Sequence, residues 1–146
     1  MRILRTPQFV NKNNRVLPSA LRPQRGHDRV SVVRWAYRER PGEAFKQRCL
    51  DIGNSGTNAY CGVGVLHTQT CLDAGTTLED DRAAYDGHAN IVFPFAVAKD
   101  AEPNEGSDFS RQVEIANAIL QRTAYVADPA PLDASWTIRS ALLPTD

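Results

Sequence analysis

No stretch of this sequence is apolar for long enough to span a bilayer. The longest apolar run, Ala89–Ala98, is ten residues and already carries Asn90 and Pro94, whereas a spanning helix needs about 20. The segment before Thr6-Pro7 is too short for the apolar region of a signal peptide, so a cytoplasmic location without membrane contact is expected. Cysteine is sparse as well. Cys49, Cys61 and Cys71 are odd in number and separated by eleven and nine residues. That spacing excludes a disulfide framework and a C-x-x-C metal or redox pair, and leaves small buried thiols as the reading. Phosphate loops are missing too. No Lys-Ser/Thr follows Gly53-x-x-Gly56, and no third glycine opens a helix after Gly62-x-Gly64.

What is present is a division of charge. The 146 residues balance 17 Lys and Arg against 17 Asp and Glu. Twelve of those bases lie in residues 1–48 with only Asp28, Glu39 and Glu43, a net of +9; residues 49–146 carry a net of −9. Ten of the twelve are arginine, interleaved with Phe9, Trp35, Tyr37 and Phe45. Arginine favours planar, bidentate or stacked contacts. Such a segment suits an acidic protein or a nucleic-acid backbone, or it pairs with the acidic remainder of its own chain.

The 42% apolar and 23% charged composition is that of one globular domain. Residues 1–26 hold three prolines and read as an extended basic arm; residues 27–128 form the body, and 129–146 a docked tail anchored by Trp136, Ile138 and Leu142. Val30–Trp35, Tyr60–His67 and Ile91–Val97 read as strands. Pro94 predicts an edge or a bulge in the last of them. Gly42–Leu50 reads as a short helix, and Thr68–Ala74 as a helical turn closed by Gly75. Thr76–Gly87 reads as an acidic loop. The clearest helix is Phe109–Ala124, capped by Asp108 or Ser107, with Val113, Ala116, Ile119, Leu120 and Thr123 on one stripe. The expected class is α+β: a small, mostly antiparallel sheet packed by two helices, with long loops.

Several short elements carry a resemblance. Phe9, Arg15-Val16, Ser19-Ala20-Leu21-Arg22-Pro23, Asp28 and Ser31-Val32 resemble the opening of a group of small bacterial proteins with a Ser-x-x-Arg-Pro element and a Ser-Val strand. Gly62–Leu66 is similar to that group's glycine-valine strand, and His88-Ala89-Asn90-Ile91 to its His-Ala-x-Ile element. The resemblance implies a bacterial family and no particular activity.

Three constellations are candidates for chemistry. Glu79-Asp80-Asp81-Arg82 with Asp86-x-His88 places carboxylates and an imidazole together, as a divalent metal and a phosphoester hydrolysis would require. The plainer reading is an acidic surface loop leading into a strand. Cys61, His67 and Asp86 supply the residue types of a nucleophile, base and orienter, but six residues along a strand separate the first two by roughly 20 Å. The polar turn around Arg22, Arg25, His27 and Arg29 can hold a phosphate through arginine forks, with Arg34 and Arg38 extending the basic surface. The plainer reading there is a solvated turn. The expectation that survives is a non-catalytic interaction or accessory module. As part of a bacterial multi-protein system it would engage protein partners through its arginine-rich third and its acidic remainder, with no cofactor. The alternatives are a metal-dependent nuclease or phosphoesterase using Asp81, Asp86 and His88, or a simple nucleic-acid-binding protein that uses the arginine-rich third.

Overall fold

A computed structural model describes residues 1–34, 45–84, 87–101 and 107–132. The α+β class is observed, with strands divided between two three-stranded antiparallel sheets. Strand β1 (Arg2–Thr6) pairs with β3 (Ala59–Val65), which pairs with β6 (Ala124–Ala127). The second sheet places β5 (His88–Val92) between β2 (Arg29–Val33) and β4 (Thr77–Asp80). Helices α1 (Phe45–Gly53), α2 (Thr68–Asp73) and α3 (Asp108–Leu120) complete the described elements. Among the described residues, no helix is long and apolar enough to cross a membrane.

The pleat decides which way each side chain faces. Ile3 stands opposite Val63, and both pack with Cys49 of α1 in one buried cluster. Leu4 points to the other side of the sheet. There it joins a larger cluster with Val30, Val32 and Ile91 from the second sheet and Ala116 and Ile119 from α3. Fully burying one such aliphatic side chain contributes about 1.5–3 kcal/mol. The first 26 residues are therefore structural. Phe9, Val10, Ala20 and Leu21 are all buried in the larger cluster. Met1 joins the two sheets, its carbonyl accepting from the Val33 amide at 2.7 Å.

Glycine lets two strands approach. Gly62 has φ +149°, and a Cβ built on it would lie 2.4 Å from the Val126 carbonyl oxygen. The close approach at Gly62 is thus to the backbone of β6 and the residue after it. Helix α3 begins at Ser107, whose Oγ accepts from the Ser110 amide at 3.3 Å. It buries Gln112, Ala116 and Ile119 and stops at Leu120. Ala124–Ala127, expected in part as helix, leaves to pair with β3.

Thr77–Asp80 was expected within a loop and is an edge strand, exposed at every residue. Its register with β5 is Leu78↔Ile91 and Glu79↔Asn90. An edge strand with acidic side chains gives little apolar signal, and the charges discourage pairing with another chain. Strand β5 is central, because it ends at Val92 before Pro94 can interrupt its ladder. Trp35, Arg38, Asp86 and the anchors Trp136, Ile138 and Leu142 lie outside the described residues.

Candidate anion-binding site

The loop between β1 and β2 folds back on the chain. Phe9 N–H donates to the Arg5 carbonyl (2.8 Å), and Leu17 N–H to the Phe9 carbonyl (2.8 Å). Ser19 Oγ donates to the Gln8 carbonyl at 2.9 Å. A turn of 3-10 helix at Pro18–Ala20 then leads through Arg22 to His27 and into β2. These segments line a polar cavity of about 340 Å³ whose basic side chains are Arg2, Arg22, His27 and Arg29. Gln8, Ser19, Gln24 and Ser31 supply neutral polar groups, while Phe9, Pro23 and Val30 give it an apolar wall.

The arginines are held by carbonyls and aromatic rings more than by carboxylates. Arg2 Nε donates to the Ala20 carbonyl at 2.9 Å, its Nη1 donates to the Ser31 carbonyl, and its guanidinium lies 4.9 Å from the centre of the Phe9 ring. Arg5 takes the same ring at 5.0 Å and donates to Ser55 Oγ at 2.8 Å. Arg22 and Arg25 share Phe109 of α3, at 4.2 and 5.4 Å, and Arg25 also donates to the Lys99 carbonyl. Two like charges on one ring repel. Burial, and then the neighbouring Arg25, hold the Arg22 guanidinium below its ordinary pKa. Arg22 Nη1 and Gln8 Oε1 are both shut away from solvent without a hydrogen-bond partner among the described residues. Arg29 alone of the cavity arginines has acids in the described ion pairs: Asp28 at 3.4 Å and Glu79 at 2.6 Å.

Arg22, His27 and Arg29 of the expected phosphate-binding set are thus brought together, and Arg25 stands beside them on Phe109. Arg34 is elsewhere. It pairs with Asp80 at 3.3 Å and lines a cleft of about 900 Å³ between the sheets, with Val32, Val65, Leu66, Leu78 and Ala124. The turn Arg22–Arg29 is legible in the sequence because its members are neighbours. Arg2, Gln8 and Phe109 are not, because folding brings them from distant parts of the chain. Phe9 was visible only as one aromatic among many basic residues.

Asp81 and His88 also meet. The His88 side chain is buried, with Nδ1 3.1 Å from Asp81 Oδ2 and 3.2 Å from the Asp81 carbonyl oxygen. Both neighbours are acceptors, so Nδ1 carries the proton. Asn90 Nδ2 donates to the same carboxylate oxygen at 3.2 Å. Among the described residues, no group of three or more His, Cys, Asp or Glu is arranged to hold a metal ion. The register sets Val33 against His88 and Arg29 against Val92. Four residues of strand, about 13 Å, therefore separate His88 from the basic cavity. His67 is exposed at the start of α2, whereas Cys61 lies back along β3 with its carbonyl accepting from Tyr125 Oη at 3.3 Å. Burial raises the Cys61 thiol pKa and pushes that of Cys71 to about 11, which leaves neither an activated nucleophile.

Compared with known proteins, the chain matches no family model, no curated protein and no solved structure. Its functional reading rests on its own residues.

Proposed function

We propose that this chain is a non-catalytic interaction module that docks an acidic protein partner on its arginine-rich face. One observation carries the reading. Arg5, Arg22 and Arg25 make no ion pair among the described residues and are held on Phe9 and Phe109. Guanidinium groups fixed in place, but not neutralised, are poised for carboxylates or phosphates arriving from outside. The acidic remainder meets the basic third at Arg29–Glu79 and Arg34–Asp80, and these pairs leave Arg5, Arg22 and Arg25 untouched.

The test is binding of a fluorescent Asp/Glu-rich peptide to the full chain at low salt. The double variant R22Q/R25Q should weaken it at least tenfold, since hydrogen bonds to charged groups are worth about 1.5–3 kcal/mol each. Peptide affinity unchanged in that variant sinks the reading. A single-stranded DNA of equal charge, binding more tightly than the peptide with a steep salt dependence, would point to nucleic acid instead.

The contact between Asp81 and His88 favours a second reading, a metal-dependent phosphoesterase. It requires phosphate at His88, while the arginines that would hold the phosphate lie about 13 Å along the sheet. Turnover of a phosphodiester by the protein with added divalent cation, abolished by His88→Ala, would establish this reading over the first.

A further inference from the structure

We propose that the cavity lined by Arg2, Arg22, His27 and Arg29 receives the phosphate of a phosphorylated serine or threonine on the acidic partner. This inference rests on the module reading above and names the chemistry its partner must carry.

Size comes first. About 340 Å³ is at the small end of ligand pockets, which run from about 300 to 1,000 Å³. It admits one phosphorylated side chain and excludes a duplex. Charge comes second. A phosphoryl group brings a charge of roughly −1.5 to −2 and three acceptor oxygens, and the cavity presents three guanidinium groups and an imidazole. Among the described residues Arg29 pairs with Asp28 and Glu79, while Arg22 makes no ion pair, and a guanidinium fork matches phosphate geometry.

The neutral groups select further. Gln8, Ser19, Gln24 and Ser31 also line the cavity, and neutral amide and hydroxyl groups there can meet the backbone of a peptide that carries the phosphate. Beyond the cavity the cations continue: Arg25 shares Phe109 with Arg22, and Arg5 shares Phe9 with Arg2. Phe109 lies in the first turn of α3, where the helix dipole adds positive potential. Acidic residues flanking the phosphate therefore meet charge on both sides of the recess. A free sugar phosphate would leave those outer arginines unused.

Calorimetry on the full chain in phosphate-free buffer tests this with four probes: an acidic peptide carrying one phosphoserine, the same peptide unphosphorylated, ribose 5-phosphate and inorganic phosphate. The phosphopeptide should bind at least tenfold more tightly than its unphosphorylated form, and inorganic phosphate should compete with it. At a hundredfold excess over Kd it should raise Tm by about 5–10 °C. R22Q should weaken phosphopeptide binding about 10- to 100-fold and bring it close to the unphosphorylated peptide. H27Q, in an exposed turn, provides a second variant that keeps the fold and should lose about two- to fivefold. Equal binding of the two peptides overturns the phosphate site and leaves the module standing. Ribose 5-phosphate binding more tightly than the phosphopeptide overturns the peptide as its source. No binding by any of the probes removes both readings.

Discussion

Asp81 holds the base of the loop that leads back into β5. Its amide donates to the His88 carbonyl at 3.2 Å, and its carboxylate accepts from both His88 and Asn90. Asp81→Ala would leave two buried donors short of this acceptor, at a cost of about 1–3 kcal/mol. Urea unfolding should register that loss, and Asp81→Asn, which keeps one acceptor oxygen, should recover much of it. Equal stability of the alanine variant and the natural chain would falsify the structural role given to the cluster. Gly62 is constrained differently. A methyl group there meets the Val126 carbonyl at a positive φ, so Gly62→Ala should destabilise by about 2–4 kcal/mol through backbone strain and overpacking. A loss below half a kilocalorie, on the order of an ordinary surface change, would mean that β6 can move away. The Met1 α-amino group donates to the Val33 carbonyl, and burial pushes its pKa down to about 6, against a small opposing effect of Cys71. The unfolded chain, titrating near 8, binds more protons between these values, so stability should rise with pH from 6 to 8. The gain is about 2–3 kcal/mol, complete above pH 8 and absent below 6. Urea midpoints across this range check it, and acetylation of Met1 should flatten the slope.

Among the elements, α3 has the most to say about what a sequence reveals. Ser107 was one of two expected caps, and the 3,4-spaced stripe gave Ala116 and Ile119 as buried positions. Both signals are local, so no tertiary knowledge was needed to see them. Ser107→Ala should cost about 0.5–2 kcal/mol, read as a lower urea midpoint with an unchanged m-value. No change in midpoint would assign the helix start to packing of Phe109 instead. The expected strand Ile91–Val97 overlaps β5 only at Ile91 and Val92, whereas Gly75, at φ +85°, closes α2 as expected, and β2 and β3 were legible from their valine runs. Strands β4 and β6 were not. Each has four residues; β4 (TLED) is mostly polar, and β6 (AYVA) begins at Ala124, where the helical stripe was expected to end, so pairing with a neighbour makes them strands rather than their own pattern. The same holds at the site. The turn Arg22–Arg29 could be read directly, but Arg2 comes from another strand and Phe109 from a helix more than eighty residues later.

At the scale of the whole molecule, the division of charge becomes a division of surfaces that touch along β4. Glu79 and Asp80, neighbours on that edge strand, take Arg29 and Arg34 from β2 and the residue after it. Asp80 also holds Arg82 at 2.8 Å. Side chains in these contacts are more than a third exposed. They therefore contribute about 0–1 kcal/mol each to stability, and their larger effect is on the potential at the cavity. Glu79 competes with any anion for Arg29. Glu79→Gln should leave the urea midpoint nearly unchanged while strengthening binding of an acidic phosphopeptide about two- to fivefold at low salt. The gain should fade as salt is raised toward 0.5 M, where screening reaches only about 4 Å. A substitution that removes the same single negative charge at an exposed position away from the cavity, such as Asp73→Asn, should produce no such gain, because Asp73 pairs with Arg122. If Glu79→Gln and Asp73→Asn change affinity alike, net charge alone governs binding. If only the first does, Glu79 is an internal competitor that sets the affinity of the arginine cavity.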